Sequence, residues 1–254
     1  MTHPTSRDGF SLLELMVVTV IIGLVIGGIT AGTSLIRGAE IKQYGVAATH
    51  YSNALHQFVD EFHALPGDMD RAEAYWGSGT CPGTSAQPST GLATCDGNGN
   101  GQIEYATQEQ LRAWQHMANA QLVEGKYTGV SYSAGGTFNA RPGLNVPKVL
   151  DGGVSIRDVG YQATDGGDYF SGDYGHILVI GGETNDENDT REQILSPTDV
   201  KSLDEKYDDG SVNSGSLRGF LNDADCHNSG NYALDEKRDD VCAFLYITGV
   251  PLYD

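Results

Sequence analysis

Apolar residues run almost without interruption through the first part of the chain. From Phe10 to Ile36 there is no Lys, Arg, Asp or His, and the single acid is Glu14. A helix needs roughly 20 apolar residues to cross a bilayer, so residues 10–36 are predicted to form a transmembrane helix. A secretory signal would have a shorter apolar core followed by a small-residue cleavage site, and no clear site of that kind follows this run.

After Ile36 the pattern changes to that of an amphipathic helix. Apolar residues recur in steps of three and four, while charged and amide side chains occupy the other faces. The sequence Leu65-Pro66-Gly67-Asp68 is predicted to end the helix, since Pro66 disfavours helix before itself and Gly67 permits a turn. Residues 37–64 therefore continue the first helix, giving a rod of roughly 80 Å at about 1.5 Å per residue. The apolar stripe consists of Ile41, Tyr44, Ala48, Tyr51, Leu55, Phe58 and Phe62.

Residues 65–254 carry mixed helix and strand signals, which predict a globular α+β domain. Residues 67–106 are polar and predict a loop region. Thr107 and Gln110 have the spacing of a capping box, predicting a helix that runs up to Gly125. A short helix opens at Ser196-Pro197 and ends before Asp208. The strand-like runs are Val146–Leu150, Val154–Tyr161, His176–Ile180 and Val241–Thr248.

Glu14 is the informative residue of the apolar run. A carboxylate in the hydrocarbon costs on the order of 2.5–3.5 kcal/mol, so such acids are rare and usually paired. The string GFSLLELMVVTVIIGLVIGG, which starts at Gly9, closely resembles the class III signal of type IV prepilins and type II secretion pseudopilins. A plain signal anchor with a stray acid is the alternative interpretation.

The resemblance implies how this segment is used. Residues 1–9 would be a leader that a prepilin peptidase cuts between Gly9 and Phe10, leaving an N-methylated amine on Phe10. The carboxylate of Glu14 would then meet the positive terminal amine of a neighbouring subunit during assembly. An acid and an amine that are each costly alone in lipid are tolerated together, and breaking a buried pair costs about 3–5 kcal/mol.

The resemblance also implies a pilin-like fold, in which the long helix packs on an antiparallel sheet with a cysteine-closed C-terminal loop. The implied partners are other pilin-class subunits, the peptidase and an inner-membrane assembly platform. The chain would cross the inner membrane once, with its globular domain on the periplasmic side, before joining a periplasmic or extracellular filament. Many pilins carry a proline that lets the membrane helix melt; here that position is Ala31, so melting would depend on the neighbouring glycines.

Composition narrows the choice of partners. The 254 residues carry a formal net charge of −19, which argues against nucleic-acid binding because phosphate neutralisation requires Lys and Arg.

The four cysteines form two local pairs, which behind a membrane segment predict disulfides in an oxidising compartment. Three connectivities are possible, and Cys81–Cys95 with Cys226–Cys242 is favoured because short loops close most easily. Free buried thiols are the alternative.

One loop has the pattern of a calcium site. Oxygen-bearing side chains at alternate positions from Asp96, with a glycine at the sixth, follow the loop of an EF-hand. Thr107 stands where the EF-hand has its bidentate glutamate, so Glu104 or Glu109 would have to compensate. The alternative is an ordinary Asn/Gly-rich turn. The candidate Ca²⁺ ligands are Asp96, Asn98, Asn100, Gln102 and Glu104.

Two further groups are weaker candidates. Asp204, Asp208 and Asp209 are interpreted as a solvated helix end rather than a metal site. His56, Asp60 and His63 have the spacing of a zinc triad on one helix face, but the adjoining apolar stripe already explains why that face points outward. The sequence contains no G-x-S-x-G, no H-E-x-x-H and no glycine-rich loop between a strand and a helix, so no enzyme is predicted.

The sequence therefore favours a structural subunit of a type IV pilus-like filament. The chain is longer than usual major pilins, which favours a minor subunit. A type II secretion pseudopilin is the alternative within the same superfamily. The alternative from another class is a membrane-anchored domain that binds calcium or a partner and never polymerises, and a membrane-tethered hydrolase ranks last.

Overall fold

The computed structural model describes residues 11–79, 91–105, 107–131, 139–184, 189–228, 230–234 and 239–250. These residues confirm the predicted α+β class, with a long N-terminal helix and an antiparallel sheet. The helices among them are α1 (Leu12–Phe62), α2 (Ala72–Trp76), α3 (Glu109–Asn119) and α4 (Pro197–Tyr207). The strands are β1 (Lys148–Val149), β2 (Gly152–Asp158), β3 (Tyr161–Gln162), β4 (Gly172–Asp173), β5 (His176–Gly181), β6 (Leu217–Gly219), β7 (His227–Asn228), β8 (Asn231–Tyr232) and β9 (Phe244–Ile247).

Contacts divide the chain into two compact units, of which the first ends at Ile41 and the second begins at Lys42. In the first unit, the large apolar side chains of α1 from Leu12 to Ile36 are all at least half exposed. Among the described residues, α1 is the one helix long and apolar enough to cross a membrane, its most apolar stretch having a mean hydropathy of 2.6. This uncovered apolar surface fits a membrane anchor.

The second unit is built on a five-stranded antiparallel sheet with the order β1-β2-β5-β9-β6. The central strand β5 is buried along its whole length, because both faces of the sheet are covered. Ile177 and Val179 project from β5 into one apolar cluster, while Leu178 and Ile180 alternate to the opposite face. The cluster also contains Tyr169, Tyr174, Phe220, Ala243 and Leu245.

The amphipathic half of α1 buries the stripe that the sequence predicts. Within the second unit its members are buried, except for Tyr51, which is half-buried. The ring of Tyr51 meets that of Trp114 on α3 edge-on at 5.1 Å. On the same half of α1, Nε2 of His56 lies 2.8 Å from the carbonyl oxygen of Thr248, just after β9. The helix ends at Phe62 because His63 adopts a left-handed conformation with φ 50°.

Helix α3 differs from its prediction at both ends. It begins at Glu109 without the predicted Thr107–Gln110 capping box, because its N-cap Gln108 is left-handed (φ 60°) and makes no side-chain cap. It ends at Asn119 rather than near Gly125, since Gln121 also takes a positive φ, of 62°. Helix α2 lies inside the segment predicted as loop. Single-residue backbone conformations of this kind leave no signal in hydrophobic periodicity.

His116 joins three separate segments in the interior. Its Nδ1 accepts a hydrogen bond from the backbone N–H of Gly67, at 2.9 Å, in the turn after α1. Its Nε2 lies 3.1 Å from the hydroxyl of Thr94 and 3.3 Å from the carbonyl oxygen of Cys95. The ring is fully buried and is therefore held in its neutral form, with Nδ1 as acceptor.

Candidate functional site

Glu14 lies in the first turn of α1 and closes a capping box with Ser11. The backbone N–H of Ser11 donates to Oε2 of Glu14 at 2.8 Å, and the N–H of Glu14 donates to the Ser11 hydroxyl at 3.2 Å. Such reciprocal bonds satisfy two backbone donors at a helix start. The S-x-x-E spacing that signals this box is visible in the sequence, but the helix was predicted to start upstream of it. The second carboxylate oxygen, Oε1, is exposed and remains able to accept another donor.

The predicted processing and methylation residues, Gly9 and Phe10, lie outside the described residues. The structure places Glu14, the predicted assembly residue, at the exposed start of α1, within the first unit. Cleavage before Phe10 stays a prediction.

The candidate calcium loop is held by hydrogen bonds from its own side chains. Oδ1 of Asn98 accepts from the N–H of Asn100, and Oδ1 of Asn100 accepts from that of Gln102, each at 3.0 Å. The amide of Asn98 donates to Oε2 of Glu104 at 2.6 Å, which brings two predicted ligands together. Oδ1 of Asp96 instead accepts from the N–H of Glu73 in α2, at 2.8 Å.

Two carboxylates outside the five candidate Ca²⁺ ligands hold the backbone of this loop. Asp68 accepts from the N–H groups of Asn100 (3.0 Å) and Gly101 (2.9 Å). Glu109 accepts from those of Asn98 (3.2 Å) and Glu104 (3.0 Å). The sequence indicates Glu109 as a replacement for the missing twelfth ligand, whereas Asp68 is too distant in sequence for a loop motif to reveal it.

The loop concentrates negative charge. Burial raises the pKa of Asp68, with a further contribution from the charge of Glu104. Burial also raises the pKa of Glu109, and the charge of Asp68 acts in the same direction. The cation in contact is Arg112, whose Nη1 donates to the carbonyl oxygen of Asp96 at 2.5 Å. A further cation would relieve this repulsion, although it would compete with the Asn98–Glu104 hydrogen bond.

Replacement of Gly97 should test how tightly the loop is seated. A Cβ on Gly97 would lie 2.1 Å from the backbone carbonyl carbon of Asp68, which cannot rotate away. We expect Gly97→Ala to lower the free energy of unfolding by about 2–3 kcal/mol, as overpacking does. The control is Gly166→Ala, where the nearest atom would be 4.0 Å away. Equal melting temperatures of Gly97→Ala and Gly166→Ala would contradict the close packing of Gly97 against the Asp68 backbone.

The second acidic cluster differs from its interpretation as a solvated helix end. Asp209 is exposed, but Asp204 is fully buried. Asp204 accepts hydrogen bonds from the hydroxyl of Tyr232 at 2.7 Å and from the N–H of Gly210 at 2.9 Å. Burial raises the pKa of Asp204 to about 6. Its carboxylate therefore ties α4 to β8, which the helix periodicity could not show because Tyr232 is distant in sequence.

The zinc-like spacing on α1 does not assemble a site. His63 lies beyond the end of the helix, and His56 faces Thr248. Among the described residues, the one set of three His, Cys, Asp or Glu side chains with ligand atoms within 4.8 Å of one another is Asp204, Asp208 and Asp209.

One of the two predicted disulfides is confirmed. Cys226 and Cys242 are bonded, with their Cα atoms 5.1 Å apart, and they fasten the segment before β9 to the loop before β7. Cys81 lies outside the described residues, so its pairing with Cys95 stays a prediction.

Comparison with known proteins identifies the N-terminal segment. Residues 5–30 match the family model described as the prokaryotic N-terminal methylation motif. Comparisons of the chain with curated proteins and with solved structures gave no match.

Proposed function

We propose that this chain, whose residues 5–30 carry the class III signal of type IV pilins and pseudopilins, is a minor structural subunit of a type IV pilus-like filament. The motif supports a pilin-like or pseudopilin subunit and implies assembly with other pilin-class subunits. Pilin-type proteins are generally structural rather than enzymatic. The observation that carries the proposal is this motif at the start of α1, whose large apolar side chains from Leu12 to Ile36 are at least half exposed.

The proposed mechanism is association of helices. A prepilin peptidase removes residues 1–9, and the new amine of Phe10 is methylated. The amine of one subunit then pairs with the exposed Oε1 of Glu14 in its neighbour, while Oε2 keeps its bond to Ser11. The pair sets the axial register, because a charge left alone in lipid is costly. The apolar residues from Leu12 to Ile36 supply the lateral packing between helices. An inner-membrane assembly platform brings each subunit to the filament.

Filament preparations test this function directly. Cells that express the full chain should be sheared and the released material examined by immunogold electron microscopy. We expect label along or at the ends of filaments, in amounts far below those of a major subunit. Label that stays in the membrane fraction while other pilins are sheared off would contradict the proposal. If deletion of the chain abolishes protein secretion but leaves surface filaments intact, the chain would instead be assigned to a secretion pseudopilus.

We also propose that the Asp96 loop binds calcium, supported by the carboxylates of Asp68, Asp96, Glu104 and Glu109 around it. A ligand that binds only the native state stabilises it by about 2.7 kcal/mol at 100 times its Kd. We therefore expect the full chain to melt at a higher temperature with calcium than with a chelator. Asp96→Asn keeps the hydrogen-bond acceptor for Glu73 but removes the charge, so it should shrink the shift. Identical melting with and without calcium would exclude the site.

A further inference from the structure

The Asp96 loop, residues 96–104, contains a sequence that is chemically labile in water. Residues 97–101 read GNGNG, and they hold the two Asn-Gly bonds of the chain, Asn98-Gly99 and Asn100-Gly101. In such a bond the backbone nitrogen of the glycine can attack Cγ of the asparagine, because glycine has no Cβ to hinder the approach. Both asparagines are exposed, so solvent water reaches them.

The reaction that follows from such an attack is deamidation through a succinimide. The glycine nitrogen loses its proton and forms a bond to Cγ, while the bond from Cγ to Nδ2 breaks. The side-chain nitrogen takes up the proton and leaves as ammonia. Water then opens the ring and leaves aspartate or isoaspartate. Each event therefore replaces a neutral amide by a carboxylate and needs no reactant other than water.

The attacking nitrogens of both bonds are held by one residue in the turn after α1. The N–H of Gly99 donates to the backbone carbonyl oxygen of Asp68 at 2.9 Å. The N–H of Gly101 donates to Oδ2 of the Asp68 carboxylate, also at 2.9 Å. Between them, the N–H of Asn100 donates to Oδ1 of the same carboxylate at 3.0 Å. Because Asp68 is buried, competition from water for these hydrogen bonds is limited.

Hydrogen bonds also fix the side chains that would be attacked. Oδ1 of Asn98 accepts from the N–H of Asn100, and Nδ2 of Asn98 donates to Oε2 of Glu104. Oδ1 of Asn100 accepts from the N–H of Gln102. Attack requires the side chain and the glycine N–H to leave this arrangement. Deamidation therefore proceeds from a locally opened loop, whose population is set by the free energy of these hydrogen bonds.

We propose that Asn98 and Asn100 are deamidation sites that Asp68 protects. Its carboxylate protects Asn100 by holding the N–H of Gly101, and its backbone carbonyl protects Asn98 by holding that of Gly99. Opening of the loop releases both N–H groups and permits an irreversible gain of negative charge. The inference goes beyond the proposed function and rests neither on the filament role nor on calcium binding.

Asp68→Ala in the full chain separates the two forms of protection. The variant loses the carboxylate bonds to Asn100 and Gly101 but keeps the backbone carbonyl that holds Gly99. We expect deamidation at Asn100 to become roughly tenfold faster, the effect of losing a hydrogen bond to a charged group, and that at Asn98 to change little. The protein is incubated at neutral pH in detergent with a chelator. Mass spectrometry with fragmentation of the loop peptide then assigns each product to its residue.

The ratio of the rates at Asn100 and Asn98 is the decisive measurement, because a general loosening of the fold would raise both rates together. The matched control is Asp70→Ala. It removes an exposed carboxylate near the loop, whose glycine N–H groups donate to Asp68 and Met69 instead, so both rates should stay at the wild-type value. If Asp68→Ala melts below the incubation temperature, Asp68→Asn replaces it, since it keeps an acceptor oxygen but loses the charge. The same selectivity for Asn100 is expected.

The wild-type chain unfolded in denaturant supplies the unprotected rates. We expect both asparagines to deamidate far faster there than in the folded chain. Equal rates in the folded and unfolded chains would overturn the proposal. Equal acceleration at Asn98 and Asn100 in the Asp68 variant would also overturn it. So would slower deamidation at Asn100, because the Asp68 carboxylate would then act as a base that promotes the attack.

Discussion

Glu14→Gln should leave the chain inserted in the membrane and cleaved but should abolish its incorporation into filaments. Glutamine retains an oxygen that can accept from the N–H of Ser11, so the capping box and the start of α1 survive. What is lost is the negative charge that, in the proposed mechanism, pairs with the terminal amine of the neighbour. Breaking such a pair costs about 3–5 kcal/mol, which lowers the assembly constant by at least about a hundredfold.

The matched control for this variant is Ser11→Ala. It removes the hydroxyl that accepts from the N–H of Glu14, at a cost of about 1 kcal/mol of helix capping, but leaves the carboxylate in place. We expect sheared fractions to contain the Ser11→Ala protein and to lack the Glu14→Gln protein. Normal filament incorporation of Glu14→Gln would remove the charge pair from the assembly mechanism.

The second large effect should appear in the pH dependence of stability. Burial, and then the charge of Arg112, lower the pKa of His116 from 6.5 to about 3. The unfolded chain binds this proton near pH 6.5, whereas the folded chain stays neutral until about pH 3. The free energy of unfolding therefore has its full value with respect to His116 above pH 6.5, and it decreases as the pH falls from 6.5 towards 3. At pH 4.5 the loss should be about 2–3 kcal/mol, at about 1.4 kcal/mol per pH unit.

Denaturant unfolding of the full chain in detergent at pH 7.5 and 4.5 measures this loss. His116→Gln cannot titrate, so its free energy of unfolding should fall by about 2–3 kcal/mol less than that of the wild type. Asp204, whose pKa burial raises to about 6, acts with the opposite sign because its folded form binds the proton first. That contribution is common to both proteins and cancels in the comparison. Parallel losses in the two proteins would contradict the buried neutral state of His116.

Sequence pattern predicted the elements whose signals are periodic or local. The stripe of α1 from Tyr44 to Phe62 is buried as its spacing predicts, apart from the half-buried Tyr51, and β5 and α4 lie where their runs predict. The Cys226–Cys242 disulfide followed from loop length. Each of these features depends on residues close together in sequence, or on a repeat that one element carries by itself.

Features that depend on a single backbone angle or on a distant partner were missed. Because Gln108 is the N-cap and adopts a left-handed conformation, the capping box predicted at Thr107 does not form. Asp68 reaches the Asp96 loop across 32 and 33 residues of sequence, and Tyr232 reaches Asp204 across 28. Burial of those carboxylates follows from tertiary packing alone, so their raised pKa values could not be anticipated from the local pattern.

Identifying the first residue of the functional protein is the most direct test of the proposed filament mechanism. Mass spectrometry of the chain recovered from membranes and from sheared filaments would identify its first residue and any methyl group. We expect Phe10 with an N-methylated amine in both fractions, since in the proposed mechanism that amine neutralises Glu14 of the adjoining subunit. A mature protein that still begins at Met1 or Thr2 would contradict the mechanism, because the partner of Glu14 would then not exist.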